Sequence, residues 1–388
     1  MEELIIVGSA AENPFVADIS QHMNQDEHYS DLISLKTFLN SEFCPRFLVD
    51  EDSWENVGRK LEGKKVLIVS TNLGDLTRDE IAMRNFLIAR AARDNGAGRV
   101  LLLEPDLFYS AQDRGPRPEQ GYTCFERDAV DYKKFDGQPF SARLYADLLV
   151  KAGVDEVITV HNHSCSVKTI YMDRFAGRFH DLHPADVYAD YIRESDIVND
   201  NNLVLCAPDK GATPFVEEVR LELGRSDVGV LSMNKERKTE WEVEIVPDPE
   251  SEIPLAAVEG KDVVVIDDMV RTGKTIVECC KLLRTAKPNR VVFFVTHFNS
   301  SREGRINMND PCIDEIITTS TIPNILNRDV QGRLRHKMVV LRVSRWISSY
   351  ILQILDSKAP PLKKPLYNED MSSKNPRWKG HMGPLFGR

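Results

Sequence analysis

The stretch Val263-Val264-Val265-Ile266-Asp267-Asp268-Met269-Val270-Arg271-Thr272-Gly273-Lys274-Thr275-Ile276 decides the reading of this chain. Four successive β-branched apolar residues predict a strand buried on both faces of a parallel sheet. Two aspartates end it, a short loop with one glycine follows, and a helix is expected from about Thr275 into Leu283. In open α/β sheets ligands sit at the carboxyl ends of strands, and a helix N-terminus there accepts phosphate. Thr272, Gly273 and Thr275 supply hydroxyls and backbone N–H groups for that role. Asp267 and Asp268, one step earlier, are placed to hydrogen-bond vicinal sugar hydroxyls. A sugar phosphate held at both ends fits the combination. A nucleotide P-loop does not, because it requires glycine where this chain has Asp268. An ordinary turn between strand and helix stays open at this point.

The bulk of the sequence narrows the class. A chain of 388 residues predicts two domains. Its 42% hydrophobic content supplies two cores, and its 28% charged content is ordinary. A net charge of −10 argues against a general nucleic-acid binder, while leaving room for a local cationic phosphate site. The acidic start Met1-Glu2-Glu3-Leu4 runs straight into a strand, so no signal peptide is expected. No apolar run reaches membrane-spanning length, so no membrane partner is expected either. Seven cysteines without CxxC spacing predict reduced thiols, a cytoplasmic location and no structural zinc.

Outward from the opening stretch, the chain repeats itself. A strand at Leu4–Ser9 followed by a helix from about Pro14 to Met23 recurs at Leu203–Asp209, where Pro214-Phe215-Val216 echoes Pro14-Phe15-Val16. Glu62-Gly63-Lys64 leads into strand Val66–Val69 as Glu259-Gly260-Lys261 leads into the opening strand. Val154-Asp155-Glu156-Val157-Ile158-Thr159 matches Ile313-Asp314-Glu315-Ile316-Ile317-Thr318. Three echoes in the same order indicate an internal duplication. Alternating strands and helices make each half an α/β domain with a mostly parallel sheet.

With these features in place, the opening stretch resembles the 5-phosphoribosyl-1-diphosphate (PRPP) binding motif of type I phosphoribosyltransferases and of ribose-phosphate diphosphokinases. The tandem arrangement resembles the latter over about residues 3 to 357. The resemblance implies two tandem phosphoribosyltransferase-like α/β domains. The first would span 1–189 on the ATP side, rejoined by 339–357; the second would span 190–338 and carry the PRPP motif. A basic Pro/Gly-rich tail, 358–388, lies outside the resemblance and reads as extended.

The resemblance also assigns residues. Phe38, Asn40 and Glu42 fall where the family contacts adenine, with Asn40 in place of an aspartate. Tyr109-Ser110-Ala111-Gln112-Asp113-Arg114 resembles an ATP-contacting segment and puts Gln112 and Asp113 on the nucleotide. Ala111 replaces an arginine there, for which Arg114 or Arg117 is a candidate substitute; Gly115–Tyr132 reads as a surface insertion. Strand Val157–Val160 delivers His161-Asn162-His163. On spacing alone these are either a metal pair sharing one strand face or exposed loop histidines. The resemblance assigns His163 to metal and ATP phosphates and places His161 where the family has an aspartate. Asp209 in Ala207–Ala212 matches a diphosphate loop whose carboxylate binds metal. Lys235-Glu236-Arg237-Lys238, after strand Val228–Met233, reads by itself as a solvated turn. The resemblance makes His163 catalytic, together with Lys235 and Arg237 on a mobile loop with the Glu-rich flap Thr239–Pro254. Asp267, Asp268, Arg271, Thr272, Gly273, Lys274 and Thr275 are implied to hold ribose 5-phosphate, with Arg271 replacing an aspartate and Lys274 a small residue.

The expected protein is therefore a Mg²⁺-dependent, cytoplasmic, homo-oligomeric enzyme. It would transfer the diphosphoryl group of ATP to the anomeric hydroxyl of ribose 5-phosphate, with no nucleic-acid partner. Two alternatives accompany this reading. One is a catalytically weakened regulatory or assembly subunit, suggested by Asn40, Ala111, His161, Ala212 and Arg271. The other is a phosphoribosyltransferase that uses PRPP as donor.

Overall fold

Val263–Ile266 are fully buried in the middle of an eight-stranded sheet, as their unbroken apolar pattern predicts. The computed structural model describes residues 3–123, 126–195, 197–198, 202–237, 243–356, 360 and 364–370. It divides into two α/β units. The first takes the chain up to Leu182, Thr321–Pro323 and the helix Ser344–Leu355. The second takes His183–Ser320, Asn324–Val343 and the described residues from 364 onward.

Seven strands belong to the first unit. They are β1 (Leu4–Gly8), β2 (Ile33–Thr37), β3 (Phe43–Phe47), β4 (Lys65–Val69), β5 (Arg99–Leu103), β6 (Glu156–Val160) and β7 (Phe179–Leu182). Its main sheet is parallel with order β1-β4-β5-β6-β7, while β2 and β3 form a separate antiparallel hairpin. The second unit has β8 (Leu203–Ala207), β9 (Gly229–Arg237), β10 (Val243–Pro247), β11 (Asp262–Val270), β12 (Arg290–Phe298), β13 (Glu315–Thr319), β14 (Met338–Arg342) and β15 (Asn368–Asp370). The order is β10-β9-β8-β11-β12-β13-β14-β15, antiparallel only at the two edge pairs. Its parallel run β8-β11-β12-β13-β14 repeats β1-β4-β5-β6-β7 strand for strand.

The repeat extends to single hydrogen bonds. Asp155, just before β6, accepts from Val100 N at 2.8 Å and pairs with Arg93, which also donates to the Gly153 carbonyl at 2.8 Å. Asp314, just before β13, accepts from Val291 N at 2.7 Å and pairs at 2.6 Å with Arg284, which donates to the Cys312 carbonyl at 3.0 Å. One residue later, Glu156 takes Arg99 at 2.7 Å and Glu315 takes Arg290 at 2.6 Å. The Asp-Glu echo in the sequence is thus a repeated anchor that ties helix to sheet and locks neighbouring strands.

Four expectations change. β11 does not end at the aspartates: it continues beside β12, with Met269 opposite His297 and Val270 opposite Phe298, while pairing with β8 stops at Val265. β9 runs through Lys235 to Arg237 and turns back as β10, so that part of the expected loop and flap is a hairpin; residues 238–242 lie outside the described residues. The division between units falls at Leu182/His183 rather than 189/190, and β14 stays in the second sheet, so that the returning segment begins at Ser344 rather than 339. That helix reaches the first unit's residues through Ser344 Oγ to Asp18 at 3.4 Å. Finally, part of the expected tail is built into the second unit. β15 pairs with β14, Tyr367 is buried edge-on to Tyr191, and Lys364 pairs with Asp190 at 2.6 Å.

Within the segment Gly115–Tyr132, described except at residues 124–125, Arg127 ties several stretches of chain together. The Arg127 guanidinium donates to the carbonyls of Gly115 (2.7 Å) and Gln120 (3.1 Å), pairs with Asp131 at 2.6 Å and lies over the Tyr132 ring. None of the described helices is long and apolar enough to cross a membrane.

Candidate functional site

The strand ends of the second unit carry the richest chemistry. β8 releases β11 after Val265, and the next turn of chain brings Asp209 toward that opening. Asp267 and Asp268 are partly buried, and each fixes the following backbone, with Asp268 N donating to Asp267 Oδ1 at 3.0 Å and Met269 N to Asp268 Oδ1 at 2.8 Å. Burial, then the negative charges of Asp268 and Asp209, push the Asp267 carboxyl well above the usual carboxylate range. Two other carboxylates therefore act on the Asp267 carboxyl. A cation already answers one of them: Lys235 Nζ, from β9, lies 2.5 Å from Asp209 Oδ2. Asp209 Oδ1 meanwhile accepts from Ala212 N at 3.1 Å, shaping the loop that follows β8. The backbone of Arg237 pairs with Val243, and its side chain lies outside the described part.

Beyond the aspartates, Gly273 caps the helix Lys274–Thr285 at φ 76°, a left-handed conformation that favours glycine. Glycine has no side chain, so no N-cap side chain accepts from the first-turn N–H groups of this helix. Arg271, Thr272 and Lys274 are exposed and Thr275 is half-buried. The two cations part company here. Lys274 Nζ is paired with Glu303 at 2.9 Å, whose hydrogen bond and charge raise its pKa. Arg271 presents its carbonyl to Ser301 Oγ at 3.0 Å.

The first unit places its candidates on three separate loops. Phe38, Asn40 and Glu42 form the tip of the β2–β3 hairpin, where Phe38 N donates to the Glu42 carbonyl at 2.8 Å and Asn40 Oδ1 accepts from Glu42 N at 3.3 Å. The Phe38 ring is exposed, with Lys36 Nζ 4.9 Å from its centroid. Gln112 is exposed and accepts from Ser141 Oγ at 2.6 Å. Asp113 is different: it is buried, accepts from Ser164 Oγ at 2.5 Å, and takes the Arg114 side chain at 3.1 Å. Its surroundings suit a loop anchor more than a nucleotide contact. Arg114, a candidate for the arginine missing at Ala111, is paired with Asp113 and with Asp131 at 3.0 Å. The histidine pair is corrected: β6 ends at Val160, His161 turns to φ 47° and is buried, and only His163 is exposed, so they share no strand face.

Sequence reasoning missed Glu104. It follows the apolar run of β5 as Asp267 follows that of β11, a signal that was available. It is fully buried, with Oε1 accepting from Ser70 (2.9 Å), Asn85 (3.1 Å) and Tyr145 (3.0 Å), and Oε2 from Phe108 N (2.9 Å). Burial outweighs these donors and lifts its pKa to about 7. Ser301, Glu303 and Asn307, which surround the loop at 271–274, also went unread; no local pattern marks them.

Known proteins resemble this chain over most of its length. The phosphoribosyl transferase domain family matches residues 183–327. A ribose-phosphate pyrophosphokinase of Methanopyrus kandleri is 30% identical over 292 residues, covering 74% of this chain and 87% of that protein. One from Saccharolobus solfataricus is 27% identical over 329 residues, covering 84% and 96%. Among solved structures, a phosphoribosylpyrophosphate synthetase from Mycobacterium smegmatis superposes with a TM-score of 0.71 over 92% of this chain and 100% of its own, at 22% identity, which supports the fold.

Proposed function

The chain belongs to the ribose-phosphate pyrophosphokinase family, and from that premise we infer that it transfers the diphosphoryl group of ATP to the anomeric hydroxyl of ribose 5-phosphate, yielding PRPP and AMP. The observation that carries the reading is the convergence of Asp209, Asp267 and Asp268 with Lys235 at the strand ends of the second unit. Such a transfer needs little covalent help from the protein and depends on positioning and charge neutralisation.

The donor type suits Mg²⁺: carboxylate oxygens are hard ligands, and the charges of Asp268 and Asp209 on Asp267 favour an added cation. Asp209 is assigned to hold that metal; His163, on the first unit, is assigned to the phosphates of ATP. When bound, the metal neutralises the phosphates that are in transit. Asp267 and Asp268 orient the ribose hydroxyls. The N–H groups and hydroxyls of Thr272, Gly273 and Thr275, with Arg271 and Lys274, hold the 5-phosphate. Lys235 and Arg237 stabilise the charge that develops on the transferred group and on departing AMP. Phe38, Asn40, Glu42 and Gln112 are assigned to ATP. Asp113 is retained there only through its hold on the loop.

We further propose a homo-oligomer in the cytoplasm; the six cysteines among the described residues are free thiols, which suits a reducing compartment. The deciding experiment incubates the purified full chain with ATP and Mg²⁺, with and without ribose 5-phosphate, and measures AMP. Ribose-5-phosphate-dependent AMP release in equal amount to PRPP supports the reading. No AMP from an intact, folded chain overturns it.

A further inference from the structure

We propose that Ser301 and Asn307 are positioning residues that aim the backbone N–H groups of the loop at 271–274, with Gly304 as the residue whose missing side chain lets them reach it. The proposal rests on the assignment of that loop to the phosphate of a sugar phosphate.

The helix Arg302–Met308 and the turn before it bracket the loop from one side. Ser301 Oγ donates to the Arg271 carbonyl at 3.0 Å, and Asn307 Nδ2 donates to the Thr272 carbonyl at 2.8 Å. In a planar trans peptide the C=O and the N–H of the same unit point in opposite directions. The Arg271 carbonyl shares its unit with the Thr272 N–H, and the Thr272 carbonyl shares its unit with the Gly273 N–H. Drawing both carbonyls toward Ser301 and Asn307 therefore turns both N–H groups away from the bracket. Two successive N–H groups aimed the same way, next to an uncapped helix N-terminus, form a concavity for an anion.

The bracket is itself rigidly held. Ser301 Oγ also accepts from Gly304 N at 3.0 Å, so one hydroxyl links the short helix to the loop. Ser301 N donates to the Asn299 carbonyl at 2.8 Å, and Asn299 N donates to the Val270 carbonyl at 3.0 Å, tying the turn to the end of β11. The approach leaves no room for side chains. A Cβ on Gly304 would lie 2.8 Å from the Arg271 carbonyl oxygen, and a Cβ on Gly273 would lie 2.7 Å from the sulfur of buried Met308. Neither Ser301 nor Asn307 needs to touch the ligand. Each acts through a carbonyl on the far side of the peptide plane.

The test uses the full chain with Ser301→Ala, Asn307→Ala, Asn307→Asp and Gly304→Ala. The expected result is a rise in KM for ribose 5-phosphate of about tenfold for either alanine variant at 301 or 307, with KM for ATP within about twofold. Asn307→Asp keeps the shape but sets an acceptor against the Thr272 carbonyl, so it should be weaker still. A role confined to the fold would lower the melting temperature and leave the ratio of the two KM values unchanged. An unchanged ratio in variants that fold overturns the proposal. Calorimetric titration of ribose 5-phosphate reads the same contrast without turnover. An inactive wild type thus counts against the assigned reaction, whereas equal ribose 5-phosphate affinity in wild type and in both alanine variants counts against the aiming.

Discussion

Lys235, near the end of β9, holds the carboxylate of Asp209, in the loop after β8, in a 2.5 Å ion pair. The family resemblance singled out both residues, but for different duties. Their contact means that the catalytic cation of the proposed mechanism rests on a proposed metal ligand, and must leave it or share it when Mg–ATP binds.

Lys235→Ala should therefore lower kcat by about two to three orders of magnitude, typical of removing a group that meets charge developing in the transition state. KM for ATP should stay within about twofold. Freed of the lysine, Asp209 should bind Mg²⁺ no more weakly than before. Near-wild-type turnover in steady-state kinetics would remove Lys235 from the mechanism.

The raised pKa of Asp267 gives a second prediction. A carboxyl held above its ordinary value binds its proton more tightly, and an added cation displaces that proton, so below that raised pKa Mg²⁺ binding in the presence of ribose 5-phosphate should release protons. Calorimetry in buffers of different ionisation heats measures that release. Asp267→Asn should abolish it, and Asp267→Asn with Asp268→Asn should raise KM for ribose 5-phosphate far more than KM for ATP. Undiminished proton release in Asp267→Asn would point to another group.

Glu303 pairs with Lys274, the cation proposed to meet the 5-phosphate. Both side chains are largely exposed, so the pair itself contributes little to stability. Its effect on an incoming dianion is larger, because neutralising Glu303 leaves the loop more positive at a helix N-terminus. Glu303→Gln should tighten ribose 5-phosphate binding several-fold at low ionic strength and much less at about 0.5 M salt, where the Debye length is only a few ångströms. Affinity insensitive to this substitution at both ionic strengths would mean that Lys274 does not serve the phosphate.

Glu104 predicts a pH dependence of stability. Its pKa is raised from 4.5 to about 7, so the folded state keeps a proton that the unfolded state gives up. Its contribution is harmless below about pH 4.5, is lost as pH rises from there to 7, and stays lost above. The shift corresponds to a penalty on the order of 3 kcal/mol at pH 8. Glu104→Gln keeps the shape without the charge, so it should gain stability relative to wild type at pH 8 and be about equal to it at pH 4.5. Urea denaturation at the two pH values measures this. An equal difference at both would show that Glu104 does not titrate on unfolding.

The division of labour between sequence and fold follows from range. Val263–Ile266, and the runs in β5 and β6, announce buried strands because burial on both faces demands an unbroken apolar pattern, which is local information. The duplication was legible for the same reason: Asp155-Glu156 and Asp314-Glu315 keep their types because each pair answers the same arginines. Asp267 and Gly273 were legible likewise, since a ligand loop at a strand end requires particular residues at short spacing, whereas Asp209 and Lys235 were marked only by the resemblance to the family. What only the tertiary structure decided depends on partners distant in the chain. That β11 runs past its aspartates is set by the longer neighbour β12, and that β14 gains a partner from residues 368–370 is set by an open sheet edge. Asp113 is an anchor because Ser164 happens to face it, and the loop at 271–274 owes its orientation to Ser301 and Asn307. A hydrogen bond between groups thirty or more residues apart leaves no periodicity in the sequence, because its geometry exists only once the sheet has brought the two ends together.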